Sequence, residues 1–201
     1  MKGFDPKFKN FPEYINGITY EIWEEGLSEE KLHKYYASDI LVRSPASIII
    51  GREGVITATK STLLEFPDRK LFGEDVIWSG SPEEGMLSSH RILSTATHSG
   101  DGQYGKASAK KLSYRVIADC HAINNQVNDE WLVRDQGAIA RQIGLTPENF
   151  ARFEIERQGG PDNCIRPFSD SFDQPGHYLG IGNENEWGEK YSDILNRIMN
   201  S

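Results

Sequence analysis

His121 and Asp135 are the two side chains whose types and spacing most clearly suggest chemistry. They belong to the most strand-rich part of the chain, which reads as three long strands, from His90 to Gly100, Lys110 to Ile123 and Trp131 to Asp135. With the second turn centred on Asn128, each lies seven residues from the centre. Residues equidistant from the centre of a hairpin face one another with Cβ atoms about 5 Å apart. A histidine opposite a carboxylate is a plausible acid/base couple, in which one group removes a proton and the other orients it or returns one.

The strand that carries His121 has two unlike faces. Leu112, Tyr114, Val116, Ala118, Cys120 and Ala122 form a wholly apolar or amphipathic one. Ser113, Arg115, Ile117, Asp119, His121 and Ile123 form a mixed one. Two arrangements stay open. If only the apolar face is buried, His121 and Asp135 are a surface pair that contributes little. If both faces are covered, a second protomer takes the apolar face and helices enclose a pocket over the mixed one, with Trp131, Val133 and Asp135 in its wall.

The elements that would position these residues are helices first and strands afterwards. Pro12 to Glu25 predicts a helix with an apolar stripe of Ile15, Ile18, Ile22 and Trp23, closed by Gly26. Ser28 caps a second, shorter helix ending near Tyr36. Asp39 to Ser44 is extended, and Gly54 to Phe66 is a third helix stopped by Pro67. Strands follow over Leu71–Trp78, Met86–His98, Lys110–Ile123 and Glu130–Ile139. This order predicts an α+β fold with a mostly antiparallel sheet. Thr146-Pro147 opens a further helix to about Arg157, and a loop rich in Pro, Gly and Asp runs on to about Asn183. Trp187, Tyr191, Ile194, Leu195 and Ile198 then share one face of a last helix, which needs a surface to dock on.

Several function classes fall away. Gly100-Asp101-Gly102-Gln103-Tyr104-Gly105 matches a dinucleotide fingerprint, but a strand follows where the phosphates would need a helix N-terminus, so it reads as a turn. His90 and His98 lie eight residues apart on one strand, roughly 27 Å, too far to share an ion. No Cys/His cluster has zinc spacing, and Cys120 reads as a buried thiol. A formal charge of -8 over 201 residues argues against nucleic-acid and anionic-membrane surfaces. No apolar run reaches the roughly 18 residues of a membrane span. The first residues, Met1-Lys2-Gly3-Phe4-Asp5-Pro6, lack an apolar leader core, which predicts a cytoplasmic protein.

Three segments resemble the SnoaL-like polyketide cyclases of the NTF2-like superfamily. They are the helix end Ile22-Trp23-Glu24-Glu25-Gly26, the Tyr35-Tyr36-Ala37-Ser38-Asp39 entry with Gly51 and a following helix, and Thr97-His98-Ser99-Gly100 with Gly105-Lys106 before the next strand. The resemblance covers about residues 10 to 143. Ala107-Ser108-Ala109 departs from the Pro-Thr-Gly often found there. It implies an α+β cone over residues 1–144, with N-terminal helices packed on a curved, mostly antiparallel sheet. Residues 145–201 would form a C-terminal helical extension on the same domain or on a dimer partner, with its Gly/Pro loop a lid at the pocket mouth. It also implies cofactor-independent aldol closure, isomerisation or dehydration of an apolar or keto substrate, with Asp135 as acid/base and His121 as its partner. Trp131 and Val133 would raise the Asp135 pKa, and Arg91 and Asp119 would complete the wall. A homodimer through the sheet face is expected. The rival readings are a non-catalytic small-molecule binder and a protein-partner binder.

Overall fold

Asn10 starts helix α1 (Phe11–Trp23), its side chain accepting the Glu13 N–H at 2.8 Å with Pro12 in the first turn. Tyr14, Ile15, Ile18 and Ile22 are its buried stripe. Ser28 caps α2 (Glu29–Tyr35), and Gly51 precedes α3 (Arg52–Glu65). The computed structural model describes residues 1–24, 27–45, 47–164, 176 and 186–200, so Glu25 and Gly26, expected to close the first helix, lie outside the described residues. Among the described residues the strands are β1 (Tyr36–Ser44), β2 (Ser47–Ile50), β3 (Lys70–Ser81), β4 (Gly85–Thr97), β5 (Lys111–Ile123) and β6 (Gln126–Arg134). They form one sheet in the order β2-β1-β6-β5-β4-β3, antiparallel except where β1 runs parallel to β6. This is the α+β arrangement that the element order predicts, with the short β2 added.

The register differs from the expected one. The β5–β6 turn is Asn124-Asn125, with φ of 51° and 65°, and Ile123 pairs with Gln126. Two left-handed residues in succession make the two-residue hairpin turn that asparagine tolerates well. Asn128 is not the turn but a bulge, so His121 pairs with Asp129. Asp135 lies beside Arg115, to whose carbonyl its N–H donates at 3.0 Å. Six residues of β5 therefore separate His121 from Asp135, roughly 20 Å along the strand.

The faces are also assigned the other way. The apolar face of β5, including Leu112, Tyr114, Val116, Ala118, Cys120 and Ala122, is buried in the core with the stripes of α1 and α3. The N-terminal helices of the same chain need that surface for their own apolar residues, so a second protomer cannot take it. The mixed face is the outer one.

Past Arg134 the chain does not continue as a strand to Ile139. Asp135 caps a short helix, α4 (Gln136–Ile143), accepting the Ala138 N–H at 2.8 Å, and Gly144 ends it at φ 99°. Asp135→Ala is expected to lower the unfolding free energy by about 1 kcal/mol in urea titrations, and Asp135→Asn by only a few tenths.

The Gly100–Gly105 turn wraps a buried carboxylate. Glu65, at the end of α3, accepts the N–H groups of Gln103 at 3.0 Å and Tyr104 at 2.7 Å and lies 3.2 Å from His98 Nε2. A side chain on Gly100 would run into the Leu64 carbonyl, so glycine is what lets the turn close on the helix. Helix α5 (Pro147–Arg157), capped by Thr146, seals this clasp by stacking Phe150 on Tyr104 with centroids 4.9 Å apart.

Helix α6 (Glu186–Met199) presents Trp187, Tyr191, Ile194, Leu195 and Ile198 as exposed residues. The loop expected to act as a lid lies, beyond Cys164, outside the described residues except for Gly176, which packs against the buried Arg43–Asp129 ion pair. No described helix is long and apolar enough to cross a membrane.

Candidate functional site

A cavity of about 120 Å³ lies between the inner sheet face and helices α1 and α3. Its apolar wall includes Ile15, Ile18, Val55, Val116, Ala118 and Leu132, and its polar lining includes Glu130, His90, Arg69 and Arg134. Each reaches it for a simple reason. The bulge at Asn128 puts Glu130, Leu132 and Arg134 on the inner face of β6 and leaves Asp129 and Trp131 outside. His90 alternates inward with Ser88 and Ile92 along β4. Arg69 stands just before β3, where the chain turns back from α3.

Glu130 is 7% exposed and lies among apolar residues, with Val42, Cys120 and Leu132 around it in the cavity wall. Burial pushes its carboxyl up to about 7, against the smaller opposing effects of a hydrogen bond from Tyr36 and the charge of Arg134. Tyr36 Oη donates to Glu130 Oε2 at 3.2 Å, and Trp23 meets the Tyr36 ring edge-on at 6.1 Å between centroids. The result is a carboxyl that is part acid and part base near neutrality. The same burial pushes the Cys120 thiol up, so this sulfur stays protonated and is not a nucleophile.

His90 is buried, and burial holds its ring down to about 4, so the imidazole is neutral at pH 7. Its Nε2 has no hydrogen-bond partner, an uncommon condition for a buried polar atom. Gly73 makes room for it, since a side chain there would meet His90 Nε2 and Asn16 Oδ1. Arg69 also keeps a buried Nε without a partner, and burial together with neighbouring Arg134 lowers its pKa.

The sequence-predicted residues are elsewhere. Asp135 is exposed and caps α4. His121 sits on the outer face, with Nδ1 2.7 Å from Asn128 Oδ1. Trp131 lies over the Arg43 guanidinium, 4.7 Å from ring centroid to Cζ, and Asp119 is its cross-strand neighbour. Arg91 is exposed and paired with Glu74 at 3.1 Å, and Val133 is 51% exposed. None of these six lines the cavity. Glu130, His90, Arg69 and Arg134 were missed, although Asn124-Asn125 carries the turn signal that sets the correct register. Among the described residues no three of His, Cys, Asp and Glu converge as a metal site.

No family model and no curated protein matches the chain. Solved structures do share its fold. A SnoaL-like protein from Jannaschia sp. CCS1, proposed to be a polyketide cyclase, superposes with a TM-score of 0.60 at 14% identity, covering 71% of this chain and 97% of the other. IdmH of Streptomyces antibioticus, also a proposed polyketide cyclase, gives 0.57 at 19% identity over 67% and 98% of the two chains. A protein with a ketosteroid isomerase-like fold from Catenulispora acidiphila, solved with trimethylamine, gives 0.53 at 10% identity over 69% and 98%. This chain thus shares the α+β fold of these proteins.

Proposed function

We propose that this protein catalyses proton transfer at a carbon beside a ketone, the chemistry of an aldol cyclase or ketone isomerase, with Glu130 as the proton carrier. The supporting observation is a buried carboxyl, pushed up to about 7 by its burial, in the wall of a mostly apolar cavity between sheet and helices. A general base works best with its pKa near the working pH. Glu130 as carboxylate takes the α-proton, and the electron pair moves onto the ketone oxygen as an enolate. Neutral His90, in its Nε2–H tautomer, has a free donor to offer that oxygen. The enolate carbon then attacks a second carbonyl of the same molecule, forming a carbon–carbon bond and an alkoxide, or, where the ketone carries a neighbouring double bond, the dienolate takes the proton back at its γ-carbon and the double bond shifts. In both cases the proton held by Glu130 is returned, so no cofactor is consumed. The shared fold of two proteins proposed to be polyketide cyclases supports the cyclase form of this reading.

Deuterium incorporation from D2O into 2-methylcyclohexanone tests it without knowledge of the natural substrate. A ring of this size suits a cavity of about 120 Å³. The expected result is catalysed exchange at the α-carbons, followed by NMR, that saturates with ketone. Saturable binding without exchange would instead make the protein a non-catalytic ligand carrier.

A further inference from the structure

We infer that the ligand of this cavity carries a carboxylate, held by Arg69 and Arg134. This deepens the reading of the site as one for ketones and rests on it only for the other end of the molecule. Both guanidiniums line the cavity, at the end formed by the start of β3 and the close of β6. Among the described residues neither has an acidic oxygen within salt-bridge distance, while ten other Lys and Arg side chains, including Arg43, Arg91, Arg115 and Arg157, do. The carboxylate that acts on Arg69, more weakly than the Tyr114 phenol, is Glu24, which is already engaged by the Leu71 N–H. Arg69 Nε is buried and unpartnered, and the charge of Arg134 repels it.

A guanidinium withdrawn from water beside a second cation, with no carboxylate in direct contact with either, is costly in the empty protein, and an anion that enters between them removes that cost. A guanidinium presents parallel N–H donors that match a carboxylate or a phosphate. The small cavity, about 120 Å³, favours the carboxylate. Arg134 and Glu130 are four residues apart on one strand face, about 13 Å between Cα atoms, before the long arginine side chain shortens the gap. The acid group and the reacting ketone therefore belong to opposite ends of one molecule. The substrate class is a keto acid whose two functions are separated by several carbons.

The test compares cyclohexanecarboxylate with cyclohexanecarboxamide, which share shape and differ in charge. Binding is measured by calorimetry for the wild type, Arg69→Gln, Arg134→Gln, Arg134→Lys and Glu130→Gln. The wild type is expected to prefer the carboxylate by about 10- to 100-fold. That preference should vanish in either glutamine variant and fall partway in Arg134→Lys, which keeps the charge but loses the fork. Glu130→Gln should retain it, so a failure of the proton-transfer reading leaves this result intact. Equal affinity for acid and amide in the wild type, or no saturable binding of the acid, overturns the proposal. So does tighter binding of phenyl phosphate than of the carboxylate, which would assign the arginines to a phosphate ester. If a glutamine variant fails to fold, Arg134→Lys and the acid/amide ratio of the wild type still decide.

Discussion

Glu130→Gln is expected to slow ketone α-proton exchange by about 10²–10⁴-fold, the usual worth of a positioned acid/base group. Glutamine keeps the shape and an acceptor for the Tyr36 hydroxyl but cannot hold the transferred proton. The same variant should change how stability depends on pH. The Glu130 carboxyl moves from 4.5 to about 7 on folding, so between those values the folded chain holds a proton that the unfolded chain has released. Its contribution to stability is complete below pH 4.5 and is lost by about pH 7, a change of about 3 kcal/mol. His90 acts in the opposite sense. Its ring moves from 6.5 to about 4, so its contribution is complete above pH 6.5 and is lost as the pH falls to about 4. In the wild type the two slopes offset each other over much of this range. Removing Glu130 should therefore raise the variant's stability relative to wild type by about 3 kcal/mol between pH 4.5 and 7, read from urea unfolding at a series of pH values. A flat difference would mean that Glu130 titrates like an exposed glutamate, and the case for it as a base at neutral pH would fall.

Glu65→Ala is expected to lower the unfolding free energy by about 3–5 kcal/mol, the largest stability loss among the substitutions considered. The carboxylate is buried and satisfies the N–H groups of Gln103 and Tyr104 together with His98 Nε2. Alanine leaves those donors inside the protein without acceptors. It also releases the turn that holds Tyr104 between Phe66 and Phe150. Glu65→Gln, whose amide oxygen still accepts, should lose clearly less. Urea midpoints of the two variants separate a lost hydrogen-bond acceptor from a general intolerance of substitution. Near-equal losses in both would show that the negative charge, not the acceptor, holds the clasp.

The helices were legible because their signals are local. Pro12 stands in the first turn of the first helix, and Ser28 and Thr146 each cap a helix in the structure, as read from the sequence. The α+β order and the inward face of β5 as an unbroken apolar row follow from the same kind of pattern. Helix α4 was missed because strand and short helix look alike over a few apolar residues, and the aspartate that caps it was read as a catalytic group.

The site was not legible in the same way. A one-residue bulge at Asn128 reverses which β6 side chains face inward, and strand periodicity cannot distinguish a turn at Asn128 from a turn at Asn124-Asn125 followed by that bulge. Nor does an alternating strand say which of its faces the helices will cover. By itself the sequence determined the starts of the capped helices α2 and α5, the α+β order and the apolar row that becomes the inner wall, because capping and periodicity act over a few residues. Only the tertiary structure decided that Glu130 and not Asp135 is the buried carboxyl, and that His90, Arg69 and Arg134 join it. A shifted pKa and an unpaired charge arise from the dielectric and the neighbours that distant segments supply, and those exist only once the sheet has closed under the helices.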